Sequence, residues 1–559
     1  MFFRSKRRGT RQYLQIVESF WAQGRARQRV LVTLGRLDVL QERGQLDALL
    51  ASGARFADKV LLLTAHRRGQ VPTLRVHQLG PVLAFERLWR DSGCREILEE
   101  LLGERRFEFA VERAIFLTVL HRLLAPGSDR AADKWKADYP VAGAEDLQLH
   151  HLYRAMAWLG EELDNQRAAT PFAPRCTKDL IEEALHQRRR DLFTNLDVVF
   201  FDTTALYFEG DGGETLGRYG HSKDHRPDLK QMVVGAVLDG EGRPICCELW
   251  PGNVTDVKTL TPILDRLRRR FGILRVCIVA DRGMISADTV QDLEEQGWPY
   301  ILGARMRKQN EVRVQVLADR SRFRIVHRKS PQRDDPAPLK VKEVWVEDRR
   351  YVVCVNEDEA KKDQADREAI VAALREQLRQ GDKSLVGNKG YRRFLKVAGA
   401  SHFVVDEAKI EDEAKYDGTW VLRTNTELSP AEVALQYKRL WMVEQWFRSC
   451  KSLLETRPIY HRCDETIRGH VFCSFLALLV RYELQTRLAA RGQDFEWADV
   501  IQDLQRLQQV EVEQHGQRYL LRSDLQGACG PVLRALGVAA PPTVQAAPAD
   551  HTPSATRAL

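Results

Sequence analysis

The stretch VVFFDTTALYFEG, from Val198 to Gly210, holds a charge where the surrounding pattern calls for none. Val198, Val199, Phe200 and Phe201 suit a buried strand, Asp202 follows with Thr203 and Thr204, and Leu206, Tyr207 and Phe208 resume the apolar run. A buried carboxylate without a partner is costly or neutralises itself. Asp202 therefore belongs at a strand end, beside a cation, or on a metal.

The segments that follow give it a setting. QMVVGAVLDGEGRPICCELW has two apolar runs about Asp239-Gly240-Glu241-Gly242, which predicts a β-hairpin. A helix is expected next, with Thr255 or Asp256 as its cap and Leu260, Ile263, Leu264, Leu267 and Phe271 on one face. RVCIVADRGMIS predicts a second buried strand, Val276 to Ala280, ending in Asp281; Ser286 then caps a helix reaching Gly297, and PYILGARMR is another strand. This order predicts an α/β core, a mixed sheet flanked by helices. On neighbouring strands the carboxylates of Asp202 and Asp281 would converge and repel unless a divalent cation lay between them.

Beyond Arg305 the pattern has period two in EVRVQVL, RFRIVH, LKVKEVWV, RRYVVCV, FLKVAGASHFVV and TWVLRTN, broken by a charged helical piece near Ala365 to Arg379. It predicts an inserted β-rich subdomain. Helical periodicity returns at Ser429, with Ser429 as cap and Pro430 in the first turn. Glu444 stands on this helix among Trp441, Val443, Trp446 and Phe447, either as a third acid of the site or as an ordinary surface glutamate. On one continuous helix Tyr437, Glu444, Arg448 and Lys451 share a face. An acid flanked by cations and a phenol suits a phosphodiester substrate.

At 559 residues the chain exceeds what one core accommodates, so several domains are expected. No apolar run approaches the roughly 18 residues of a membrane helix, and no apolar leader follows the basic MFFRSKRRGT, so a cytoplasmic protein without membrane association is expected. The ten cysteines form no C-x-x-C pair, which argues against a zinc ribbon and a disulfide framework and for small core residues. The net charge of +8 is mild, but basic clusters at Arg4 to Arg11, HQRRR (to Arg190), RLRRR (to Arg270) and ARMRK (to Lys308) point toward nucleic acid. The first 190 residues are mainly helical in pattern after an opening segment with possible strands in YLQIVESF and RQRVLVTLG. VERAIFLTVLHRLL and SDRAADKWKADY, separated by APG, fit either a helix-turn-helix or two antiparallel helices of a bundle. The tail from Ala539, rich in Ala, Pro and Thr, is expected to be disordered.

FFDTT, VADRGM and YKRLWMVEQWFRSCKSLLETRPIYH together resemble the three catalytic blocks of DDE transposases of bacterial insertion sequences, in the branch with a ribonuclease-H-like core and a β-strand insertion before the glutamate helix. GHSKDHRPDLKQ, PGNVTD and RGHVF are similar to further blocks of that branch, and the resemblance covers roughly residues 190 to 485. It implies that Asp202, Asp281 and Glu444 bind two Mg²⁺, or Mn²⁺ in their place, one ion activating the attacking water or 3′-hydroxyl and the other stabilising the leaving oxygen. The implied reaction nicks the transposon ends and joins the freed 3′-hydroxyls to target DNA, without ATP or a covalent enzyme intermediate. Implied partners are the terminal inverted repeats, target DNA and a second subunit, in a synaptic homodimer where each acts on the end bound by the other. The same resemblance divides the chain into an N-terminal region to 190 with possible end binding, a first core part 191–305, the insertion 306–425, the glutamate helix and its successor 426–485, a helical region 486–538 and the tail 539–559.

One departure matters. The family pattern Y-x₂-R-x₃-E-x₆-K is met by Tyr437, Glu444 and Lys451, but Leu440 stands where arginine is expected. Arg439 points about 100° away on a helix, and Arg448 is better placed to substitute. Tyr437, Arg448 and Lys451 are then the expected contacts to terminal phosphates, with Lys223, Arg226 and Arg282 as further DNA-binding candidates. Trp345 could stack on a flipped base or belong to the core. His221 and His225 fit phosphate or backbone contacts better than general bases. A host metal-dependent nuclease of the same fold, or a catalytically silent DNA-binding descendant, are the alternatives; short inverted repeats around the coding region would distinguish a mobile element.

Overall fold

The computed structural model describes residues 1–22, 25–54, 62, 65–66, 69, 73–103, 105–170, 173–189, 198–273, 276–327, 338–380, 393–398, 402–514 and 517–547. They form two compact units, one of residues 1–83, 138–140 and 495–559, the other of 84–137 and 141–494.

The first unit opens with an antiparallel three-stranded sheet of β1 (Phe2–Arg8), β2 (Arg11–Ala22) and β3 (Arg25–Arg36). A further strand, β4 (Thr73–Gln78), joins a four-stranded sheet whose other members lie at the C-terminal end of the chain. The possible strands in YLQIVESF and RQRVLVTLG are present as β2 and β3, so the mainly helical description does not apply to this first part. Leu14 and Val17 are its buried apolar residues, three apart because the pairing of β2 with β3 shifts register at Leu14/Gln15 and Ile16/Val17.

In the second unit, the described residues between 84 and 189 are mainly helical. Helix α1 (Val111–Leu124) is buried along its whole length, and it packs against α2 (Leu149–Leu159). The second stretch of the pair read in the sequence is helical over Asp129–Trp135 and packs on α1, which itself offers no face to solvent. Helix α3 (Thr177–Arg189) completes the region.

Beyond it runs a nine-stranded mixed sheet. Its first members are β5 (Val198–Tyr207), β6 (Gln231–Asp239) and β7 (Pro244–Pro251), joined antiparallel. Helix α4 (Leu260–Phe271) crosses back to β8 (Cys277–Ala280), which pairs parallel with β5, and β9 (Tyr300–Gly303) pairs parallel with β8. Val199, Phe201, Ile278 and Ala280 share one sheet face, where they meet Leu260, Ile263, Leu264 and Leu267 of α4 in one apolar cluster.

The insertion does not build a separate β subdomain. Its strands β10 (Arg324–His327), β11 (Leu339–Val346) and β12 (Arg349–Val355) continue the same sheet; β13 (Leu395–Ala398) and β14 (His402–Val405) form a small hairpin, and β15 (Thr419–Thr424) links β12 to β9. EVRVQVL is helical, not a strand: a π-type turn spans Val312–Val316. Val312 and Val316 are buried while Val314 between them is 54% exposed, the burial of a helical turn; in a strand all three valines would share one face. Trp345 is 59% exposed, which settles it outside the core.

Helices α5 (Pro430–Lys438), α6 (Trp441–Arg448) and α7 (Asp464–Ala489) follow. Ser429 and Glu432 form the capping box at the start of α5. Back in the first unit, β16 (Gln508–Gln514), β17 (Gln517–Arg522) and β18 (Val544–Ala546) complete the sheet with β4. Residues 544–546 pair with Tyr519–Leu521, so the tail expected to be disordered from Ala539 is ordered at least there, with Val544 buried. Arg190 and the remainder of the tail from 548 lie outside the described residues. All ten cysteines are free, and every one except Cys463 is buried. Among the described residues no helix is long and apolar enough to cross a membrane.

A buried charge network fastens α3 and α4 to β7. Lys178, Arg266 and Arg270 meet Asp179, Glu182 and Glu248, all buried. Arg270 reaches Glu182 at 2.5 Å and Glu248 at 2.9 Å; Arg266 reaches Asp179 at 2.5 Å and Glu248 at 2.9 Å; Lys178 reaches Asp179 at 2.6 Å. Two arginines of the RLRRR cluster are therefore internal, where the sequence suggested a nucleic-acid contact. Removing one partner leaves opposite charges uncompensated in the interior, which typically costs about 3–5 kcal/mol. Arg270→Met is expected to lower stability by that order, read as a fall in the urea midpoint, whereas Arg269→Met at the exposed neighbour should leave it nearly unchanged.

Candidate active site

The parallel register of β5 and β8 pairs Val198 with Cys277 and ends with Phe201 opposite Ala280. Asp202 is the next residue of β5, and Asp281 directly follows the last residue of β8. Neighbouring strands lie about 4.8 Å apart and paired residues share a face, so the two aspartates stand side by side. They stand on the face opposite Phe201 and Ala280, the side on which α5 approaches β8 and α6 approaches β5.

From α5 comes Tyr437, whose hydroxyl donates to Asp281 Oδ1 at 3.0 Å. Gly303, at the end of β9, makes room: a Cβ there would lie 2.5 Å from the phenol oxygen. Burial, with Asp281 next to it, pushes the Tyr437 phenol pKa up, which keeps the hydroxyl a donor. Asp202 Oδ1 accepts from the Thr203 N–H at 2.6 Å. Burial pushes the Asp202 carboxyl up to about 6, against the pull of Lys223 and the Thr203 N–H and with the help of Asp281 and Asp256.

The site also contains residues that sequence reasoning assigned elsewhere. Asp256 does not cap α4, nor does Thr255. Asp256 Oδ1 instead accepts from Thr203 Oγ1 at 2.7 Å, and Oδ2 lies 3.1 Å from Lys223 Nζ. The signal was present in PGNVTD, a turn returning from the strand two places from Asp202, but helix-cap chemistry explained the same residue. Lys223, expected on DNA, is thus turned into the acid cluster.

The remaining expected residues are divided. Glu444 is exposed and makes no hydrogen bond or ion pair among the described residues; Asp202, Asp281 and Glu444 are not drawn within 4.8 Å of one another as a trio. The shared face assumed a continuous helix, but hydrogen bonding tightens at the break, with Leu440 N–H donating to Tyr437 O and Val443 N–H to Leu440 O, and a π-type turn spans Ser449–Leu453. Phase along the ridge is therefore lost. Arg448 is exposed, whereas Lys451 is largely buried and pairs with Asp224 at 2.9 Å, as does Arg457 at 2.6 Å. Leu440 is buried, and Arg439 donates to the Gly240 carbonyl, away from the acids. Arg226 pairs with Asp228 at 2.9 Å, and Arg282 is exposed beside Asp281. His221 lines the cavity next to Lys223 and Asp256. In the ARMRK cluster Arg305 donates to the Arg282 and Gly283 carbonyls and Arg307 pairs with Glu413.

Two other groups bring three potential ligands together, and both are already occupied by protein cations. Asp179, Glu182 and Glu248 are neutralised by the network described above. In Asp129, His461 and His470, Arg122 donates to His470 Nδ1 at 2.9 Å and His470 Nε2 donates to the Thr456 carbonyl at 3.0 Å, so that ring has no lone pair to offer.

Residues 194–480, more than half of the chain, match the family model described as transposase DDE domain. The chain belongs to this family: it is a DDE transposase of an insertion sequence. Residues 3–66 match the N-terminal domain of IS1634 family transposases. No curated protein matches the chain. The family implies a DNA substrate and a divalent cation. The donor set at Asp202 and Asp281 fits such an ion, being hard carboxylate oxygens at the end of the β5–β8 pairing, one of them held in a raised-pKa state by burial with a smaller contribution from its acidic neighbours.

A raised carboxylate pKa means that the folded state holds the proton more tightly than the unfolded chain. The metal-free protein should therefore gain stability as pH falls from 7 through about 6 toward the unfolded carboxylate range. Asp202→Asn, neutral throughout, is expected to stabilise the metal-free protein at pH 7 by the order of 1–3 kcal/mol and to lose that advantage near pH 4. Thermal unfolding in chelator at the two pH values measures it.

Proposed function

We propose that this transposase cuts the ends of its insertion sequence and joins their 3′-hydroxyls to target DNA by metal-assisted phosphoryl transfer. The observation that carries the reading is the pair Asp202 and Asp281, set side by side by the β5–β8 register and braced by Tyr437. A ribonuclease-H-like core is supported by the strand order β7-β6-β5-β8-β9, antiparallel on one side of β5 and parallel on the other.

Asp202 and Asp281, together with Glu444 of α6, are the residues that would hold Mg²⁺ or Mn²⁺. A bound pair of such ions supplies an activated oxygen nucleophile and charge relief at the leaving oxygen. The chain's own groups do the rest. Tyr437 orients the Asp281 carboxylate through its hydroxyl. Arg448 and Arg282, both exposed close to the acids in sequence, present guanidinium groups to the phosphates flanking the scissile bond. Lys451 and Arg226 are held by Asp224 and Asp228, and contact phosphate only by exchanging those partners. Exposed Trp345 is suited to stack on an extruded base. A homodimer on paired ends completes the proposal.

Purified protein incubated with Mg²⁺ and end-containing DNA should cleave strands, and Asp202→Ala should abolish cleavage while DNA binding persists. Cleavage by the Asp202→Ala protein would overturn the assignment. Arg448→Ala should weaken binding to cleaved ends and lower the slope of log affinity against log salt by about 1.

A further inference from the structure

The loop between β7 and α4 brings a fourth carboxylate to the site. Asp256 begins a short 3₁₀ turn, Asp256–Lys258, yet its side chain serves no helix cap. It reaches Thr203 Oγ1 at 2.7 Å and Lys223 Nζ at 3.1 Å. Lys223 Nζ donates as well to the Thr203 carbonyl at 2.7 Å and to Thr203 Oγ1 at 3.0 Å. Three oxygens of two residues thus already surround one positive charge.

The direction of Asp256 matters as much as its partners. A Cβ placed on Gly283 would lie 3.7 Å from Asp256 Oδ2 and 3.8 Å from Asp281 Oδ2, so both carboxylate oxygens border the same small space beside this glycine. Thr203 faces the α4 side of β5 and Asp202 the other, but β8 stops at Ala280, and past that point no strand separates Asp281 from the start of α4. A cavity of about 250 Å³ lined by His221, Lys223, Asn253, Asp256 and Gly283 adjoins this space.

We infer that Asp256 is a further metal-holding carboxylate of the centre built on Asp202 and Asp281, and that the Lys223 ammonium is the counterion it exchanges for the divalent cation. The inference rests on the proposed metal-dependent reading of that site. It assigns Lys223 two positions: on Asp256 and Thr203 without metal, and released toward the DNA phosphate once the cation takes the carboxylate. A purely structural tie between the loop and β5 would show the same contacts but would not alter cation affinity.

Equilibrium Mn²⁺ binding by the full chain without DNA, read from the electron paramagnetic resonance signal of free Mn²⁺, separates the two. Asp256→Asn keeps an oxygen for the Thr203 hydroxyl and is expected to weaken Mn²⁺ binding at least tenfold with an unchanged melting temperature. Lys223→Met removes the competing ammonium and is expected to tighten it severalfold, which tests the exchange even where Asp256→Asn does not fold. Wild-type affinity in Asp256→Asn, or weaker binding in Lys223→Met, overturns the inference. Asp202→Asn is the control for the underlying reading: if it binds Mn²⁺ as wild type does, that reading fails, whereas loss in Asp202→Asn with retention in Asp256→Asn defeats this inference alone.

Discussion

Parallel pairing of β5 with β8 sets two like charges on adjacent strands, and much of the second unit answers to that constraint. Parallel neighbours require a crossover, here made by β6, β7 and α4, and the crossover must hold α4 firmly enough to fix the register. Apolar packing does part of this, through Val199, Phe201, Ile278 and Ala280 against α4. The opposite face then has to accommodate carboxylates. Tyr437 supplies a donor to one of them, and Asp202 retains a raised pKa because it is buried, which outweighs the pull of Lys223, a cation already paired with Asp256.

The buried network of α3, α4 and β7 has a different character. Its three carboxylates and three cations balance, and each carboxylate accepts from more than one donor. Such groups cost desolvation and return little net stability compared with apolar packing, but they punish any displacement that separates a pair. Since Arg266 and Arg270 lie on α4, the network also fixes the helix whose preceding turn carries Asp256. Acids here hold the crossover and are matched by cations of the chain, whereas Asp202 and Asp281 are the acids to which the proposed metal is assigned.

The two aspartates were legible in sequence because a charge interrupted or ended an apolar run, a local signal that pairing in the sheet then made spatial. The hairpin of β6 and β7, the Ser286 cap and the capping box at Ser429 were legible for the same reason, each resting on neighbours in the chain. Asp256 was not, since its partners Thr203 and Lys223 are distant in sequence and a residue before a helix already has a local explanation. The insertion strands were recognised, but not that they would continue the main sheet, because edge pairing such as β15 with β9 depends on tertiary placement. The break at Arg439 and Leu440 carries no Pro or Gly to announce it. With it went the inference that Tyr437, Glu444, Arg448 and Lys451 share one ridge.

That loss of phase has a consequence for how the Glu444 segment and the acid pair are linked. Adjacent residues of the loop between β5 and β6 turn in opposite directions: Lys223 to Asp256 and Thr203, Asp224 to Lys451 and Arg457 beyond α6. The loop is therefore a strap between the β5 end of the site and the segment that bears Glu444. A phosphate arriving at Lys451 and Arg457 competes with Asp224 for both cations, and a cation arriving at Asp256 competes with Lys223 for its carboxylate. On the proposed roles, both exchanges draw on ion pairs held by neighbouring residues of the same short loop, Lys223 and Asp224.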